Sequence, residues 1–249
     1  KLAAEGANII VGAKSAELDP RLEGTIYTAA EEIEKAGGRA LALKLDIRFE
    51  EQINEAVEQA MQKFGGIDIL VNNASAINLS STEQIESKKF DLMQSINVRG
   101  TFLMSKACIP HLRKSANPHI LTLSPPLNMD PRWFKQHLAY TMSKYGMSMV
   151  TMGLAGEFKK DKIGVNSLWP KTTIATAAVQ NLLGGEQLIQ RSRTTGIVAD
   201  AAAFILNRPA AECTGNFFVD EDVLTSEGIT DFAQYAVNGE KRLMQDLFL

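Results

Sequence analysis

The chain has 249 residues, 45% of them hydrophobic and 22% charged, and a formal net charge of −3, a composition that belongs to a globular protein and excludes a disordered one. It has no basic excess with which to hold nucleic acid or an anionic membrane, no apolar run of about 18 residues for stable membrane insertion and no signal-peptide architecture. Cys108 and Cys213 lie far apart, and His111, His119 and His137 fall in no ligand spacing, so no disulfide framework and no metal site is expected, and a reducing, intracellular compartment is.

Residues 8–13 (NIIVGA) predict a strand and 26–36 a helix closed by Gly37-Gly38. A strand over 40–45 and a helix over 50–64 follow, the helix carrying Ile53, Ala56, Val57, Ala60 and Phe64 on one face. Residues 68–71 read as a buried strand, 88–113 as one long helix, 119–123 as a strand and 137–159 as a second long helix. Strands over 165–168 and 216–219 and helical segments over 176–183, 186–193 and 198–206 complete the pattern. Strands alternating with helices at this spacing predict a doubly wound parallel α/β sheet, Rossmann-like, covered on both faces. One domain is expected over 1–220, with 221–249, acidic at first and then amphipathic, as a C-terminal extension or linker.

The opening, KLAAEGANII, reads as the tail of a helix leading into a strand. In a doubly wound sheet the first strand is central, and its glycine-rich turn holds a pyrophosphate at a helix N-terminus. The expectation is therefore that the first strand, the turn and most of a helix are missing from the given chain, leaving sheet edges unpaired.

The chemistry gathers near AYTMSKYG, residues 139–146. Tyr140 and Lys144 stand four apart and share a helical face, so an ammonium can lie near the phenol. Positive charge favours the phenolate over a free tyrosine of pKa about 10. A tyrosine so tuned can give a proton to a carbonyl oxygen or take one from an alcohol. Ser124 ends the strand ILTLS, at the carboxyl edge where an open α/β sheet presents ligand-contacting groups.

Asn72-Asn73-Ala74-Ser75 after IDILV, Asn97 in SINVRGTF, Ser124, and Tyr140-x-x-x-Lys144 follow one another in an order and spacing that resembles the short-chain dehydrogenase/reductase family. The resemblance runs through nearly the whole chain, and GTIYTAAEEIE, SPPLN, WFKQH and WPKT point to one subgroup within it. It implies a catalytic set of Asn97, Ser124, Tyr140 and Lys144. Lys144 would also bond the nicotinamide ribose, and Asn97 would position a water relaying protons to it. Asp46 would lie beside the adenine amino group with Ile47 next to it, Asn73 and Ala74 against the adenosine ribose, and Pro170 and Thr172 toward the cofactor. The family further implies a homo-oligomer through the two long helices. The subgroup suggests a following sterol-carrier-like domain and a peroxisomal or mitochondrial home in lipid metabolism.

After the second strand of such a fold, an acid holds the ribose 2′-hydroxyl of NAD. This chain has Lys14 there and no acid before Glu17, and a lysine attracts a 2′-phosphate as a point charge, so NADP is the expected cofactor. The leading reading is an NADP-dependent oxidoreductase interconverting a secondary alcohol and a ketone on a lipid-like or acyl small-molecule substrate. An enoyl- or dienoyl-CoA reductase on the same scaffold is one alternative. The other is a catalytically silent cofactor-binding module acting through partners, favoured by Ser75 in place of glycine, by Pro125-Pro126 and by Lys171 in place of the glycine that eases positive φ.

Overall fold

The computed structural model describes residues 1–20, 22 and 24–249. Strand β1 (Asn8–Ala13) pairs in parallel with β2 (Arg39–Lys44), and helix α1 (Ile26–Lys35) connects them. Thr25 starts α1 by accepting hydrogen bonds from the Tyr27 and Thr28 amides, while the Thr28 hydroxyl accepts one from the Thr25 amide. These bonds satisfy donors that a helix start leaves open. Helix α2 (Glu50–Phe64) buries Ile53, Ala56, Val57 and Ala60, the face its 3.6-residue period predicts.

A second parallel sheet runs β3 (Ile69–Asn72), β4 (His119–Thr122), β5 (Gly164–Trp169) and β6 (Phe217–Val219). Helices α3 (Ser87–Met93) and α4 (Thr101–Leu112) lie between β3 and β4, and α5 (Leu138–Glu157) between β4 and β5. Helices α6 (Gly185–Ile189) and α7 (Gly196–Asn207) precede β6, and α8 (Asp220–Ser226) follows it. Leu112, Ile120, Ile163 and Val165 are fully or almost fully buried in one core between α4, α5 and the sheet, each such side chain stabilising the fold by roughly 1.5–3 kcal/mol. Among the described residues no helix is long and apolar enough to cross a membrane, and no cluster of His, Cys, Asp and Glu could hold a metal ion.

The fold is therefore α/β with parallel strands, but the strands fall into sheets of two and four. Among the described residues β1 and β3 each have an edge without a strand partner. One face of β3 is also uncovered, against the expectation of a sheet covered on both faces: Leu70 and Asn72 are buried, while Ile69 and Val71, on the opposite face, are 36% and 41% exposed.

The expected single helix over 88–113 is three segments in succession: α3, a π-helical stretch over Gln94–Gly100, and α4. Side chains fix this wide turn. Asn97 is tied to another part of the chain, and a Cβ at Gly100 would stand 2.5 Å from Ile47 Cδ1, so the backbone approaches more closely than any other residue permits. The stretch 221–249 lies against the chain's own core. Val223, Leu224 and Tyr235 pack with Leu168 and Ile197, and Phe248 is 1% exposed.

Candidate active site

The carboxyl ends of β4 and β5 and the first turns of α5 bring Ser124, Tyr140 and Lys144 into one dry region, at 0%, 5% and 2% exposure. A Cβ at Gly146 would meet Val98 Cγ2 at 2.5 Å, so this glycine lets α5 lie directly against the π-helical turn that carries Asn97. The Ser124 hydroxyl is buried with no hydrogen-bond partner. An orphaned hydroxyl of that kind is uncommon in a folded core, because its desolvation is uncompensated, and it fits a group that hydrogen-bonds a bound ligand. The Thr172 hydroxyl, nearby in the chain after β5, is orphaned in the same way.

Lys144 does not hydrogen-bond Tyr140. Its ammonium donates to the Leu123 carbonyl at 2.6 Å, contacts Met147 Sδ at 3.4 Å and lies 4.9 Å from the centre of the Trp169 ring. Burial pulls its pKa from 10.5 down to about 7, and the negative charge of Asp246 partly opposes that fall. The expectation that Lys144 brings Tyr140 toward neutrality is corrected in this conformation. Burial holds the phenol well above its ordinary pKa, and Asp246 pushes the same way.

Asn97 is fully buried, and its amide is taken up by protein. The oxygen accepts from the Ala76 amide at 2.7 Å, and the nitrogen donates to the Ala76 carbonyl and to Ser143 Oγ, both at 2.9 Å. It clamps the chain after β3 to α5. Asn73 and Ala74 are exposed at the end of β3. Asp46 is partly buried and engages Arg48 through both carboxylate oxygens, chiefly at 2.9 Å and 3.0 Å, which holds its carboxyl below the usual range. Ile47 packs over Gly100.

Lys14 is exposed beside an open cleft of about 380 Å³ that Ser15, Glu17, Asp19 and Lys44 also line. Lys44 was not legible as a site residue: it ends a strand on the exposed side of the alternation, where a lysine is ordinary. Pro170 is half-buried, and Lys171, whose place was expected to need glycine, does not have positive φ. Its amide donates to Asp220 Oδ1 at 2.9 Å and its ammonium to Glu221 at 2.8 Å.

The largest element sequence reasoning missed is Phe248. Its ring centre lies 6.1 Å from that of Tyr140, 5.2 Å from Tyr145, 5.7 Å from Trp133, 5.9 Å from Trp169 and 6.2 Å from His137. These are distances at which aromatic rings attract beyond their simple burial. A second cleft, of about 340 Å³, opens between residues 77–80 and the pair Leu182 and Leu183, and Ile77 packs on the same aromatic cluster.

Residues 1–186 match the family model for short chain dehydrogenase, and the chain belongs to that family. Its members are oxidoreductases that bind a nicotinamide cofactor. The chain is 59% identical over 249 residues to hydroxysteroid dehydrogenase-like protein 2 of Danio rerio and 55% identical to the protein of the same name from Homo sapiens. It spans all of itself but only 59% of the length of either relative. Among solved structures it resembles a short chain dehydrogenase of Mycobacterium thermoresistibile at TM-score 0.94 and 51% identity, covering 100% of this chain and 88% of that one. A Xanthomonas campestris structure gives TM-score 0.96 and 50% identity over 99% of this chain and 90% of its own.

Proposed function

We propose that the chain is an NADP-dependent oxidoreductase that interconverts a secondary alcohol and a ketone on an apolar, lipid-like substrate. The observation that carries the reading is the buried, partnerless Ser124 hydroxyl beside a helix that presents Tyr140 and Lys144 on one face. In the reductive direction Ser124 donates a hydrogen bond to the ketone oxygen and fixes its position. Tyr140 gives its proton to that oxygen as the alcohol forms. Lys144, while it holds its own proton, stabilises the phenolate left behind. A bound nicotinamide supplies or accepts the hydride. Of the three orphaned hydroxyls, Ser124, Ser167 and Thr172, Ser124 fits the substrate and Thr172 the cofactor, and Lys14 with Lys44 supports a 2′-phosphate in the open cleft.

An apolar substrate is supported by the aromatic cluster at Tyr140 and by the exposed Leu79 and Leu182 at the mouth of the second cleft. A homo-oligomer through the long helices is supported by Phe102 on α4 and Met142, Met149 and Met152 on α5, which are 47–55% exposed. One observation favours the silent-module reading: Tyr140 is almost sealed from solvent. The test is oxidation of NADPH and of NADH followed by nicotinamide absorbance across short and long ketones. Turnover with NADPH preferred supports the proposal. Tight NADPH binding without turnover of any ketone would replace it with the silent module.

A further inference from the structure

Ser124 and Tyr140 must both touch the substrate oxygen if the oxidoreductase reading holds, and the inference here rests on that reading. Yet both lie under protein, and over Tyr140 the covering ring is Phe248. The segment carrying Phe248 runs along the stretch after β5. The Thr173 amide donates to the Met244 carbonyl at 2.9 Å and the Asp246 amide to the Lys171 carbonyl at 3.1 Å. Trp169 Nε1 donates to the Leu247 carbonyl at 2.9 Å.

The Met244 amide also donates to the Arg191 carbonyl at 2.9 Å, and Gln245 pairs with Thr172; beyond these bonds, toward Phe248 and Leu249, the attachment thins. Asn128 reaches the Phe248 carbonyl only at 3.4 Å, the exposed Arg132 reaches the Leu249 oxygen at 3.2 Å, and Met244 and Gln245 face solvent. Phe248 itself has φ of 76°. That left-handed backbone is costly for a bulky residue and persists only where its surroundings enforce it. The far end of the segment is thus held mainly by a ring in an apolar cage, with a strained residue, beside the ring of Tyr140.

We propose that Phe248 occupies the subsite for the apolar part of the substrate, and that residues 244–249 form a strap which an alkyl or aryl ketone displaces to reach Tyr140. The five aromatic rings around Phe248 then receive the hydrocarbon next to the carbonyl. The strap keeps the proton-transfer groups covered until such a group arrives, and polar ketones of small size cannot compete with a phenyl ring for that cage.

The test uses the full chain with 2-decanone and acetophenone as probes. Hydrogen exchange at the Asp246 amide should accelerate at least tenfold when either ketone saturates. Unchanged or slower exchange with both would overturn the strap and make Phe248 a fixed wall. In turnover, Phe248→Ala should lower KM for 2-decanone at least tenfold and raise kcat/KM, because the ligand no longer competes with the ring. A raised KM would again mean a wall. Phe248→Leu gives the same comparison should the alanine variant fail to fold. Absence of turnover in every form would sink the oxidoreductase reading, while the exchange measurement would still decide whether the segment leaves.

Discussion

At the carboxyl ends of β1 and β3, Lys14, Asn73 and Ala74 face solvent, whereas at β4 and α5 Ser124, Tyr140 and Lys144 are 5% exposed or less. One rim of the same fold therefore holds a wet half and a dry half. The wet half suits recognition of a charged, mobile ligand, since an exposed ammonium attracts phosphate without having to be desolvated first. The dry half suits proton transfer. There a fixed donor acts in a medium of low dielectric and is worth far more than in water, provided that something meets its hydrogen-bonding need. Ser124 shows the other face of that bargain, a donor kept dry and unmet.

The sharpest way to break this comparison is Tyr140→Phe. If the dry half performs the chemistry and the wet half the binding, kcat falls by roughly 10²–10⁴-fold, the range for a lost general acid, while NADPH affinity measured by fluorescence titration stays as it was. Loss of affinity together with turnover would mean that the halves are not separate.

Ser124→Ala comes next and separates activity from stability. We expect kcat/KM to fall by roughly 10–100-fold, as for loss of a hydrogen bond worth about 1–3 kcal/mol. The melting temperature should not fall, because the hydroxyl has no partner to lose. A drop in melting temperature would show that this serine is structural. On the wet side the effects are smaller. Lys14→Ala should raise the Kd for NADPH roughly tenfold, or about 1.4 kcal/mol, and Lys44→Ala should act the same way by less. NADH binding should be untouched by either, and added salt should narrow the difference.

Much of this arrangement is legible in the sequence because it is local. Helix α2 begins and ends where the period of Ile53, Ala56, Val57 and Ala60 predicts, and Tyr140 and Lys144 share a face because four residues make about one turn. The π-helical turn over Gln94–Gly100 is not local. It depends on the clamp from Asn97 to Ala76 and Ser143 and on the packing of Gly100 against Ile47, and a helical period reads the same with or without one extra residue. Phe248 is further out of reach. Its aromatic partners lie between Trp133 and Trp169, and nothing in the short sequence Asp246-Leu247-Phe248-Leu249 says which cage so distant in the chain will take the ring. Burial under this distant segment is also what reverses the expected influence on Tyr140, and the negative charge of Asp246 adds to it.

That charge also gives the smallest and most specific expectation. Burial raises the Asp246 pKa from 3.8 to about 6 and lowers that of Lys144 from 10.5 to about 7. Between pH 3.8 and 6 the folded chain keeps a proton on Asp246 that the unfolded chain releases, so this contribution to stability falls as pH rises. Between pH 7 and 10.5 the unfolded chain keeps a proton on Lys144 that the folded chain has lost, so the contribution rises with pH. The pair therefore stabilises the fold least between about pH 6 and 7, where both groups are charged in the dry half. Melting temperatures across that range should show a shallow dip. Asp246→Asn should remove its acid side and start the alkaline rise at lower pH, since Lys144 loses the charge that holds its proton. Lys144→Met should remove the alkaline rise. A wild-type profile without the dip would mean that Asp246 and Lys144 are not held as buried charges in the folded chain.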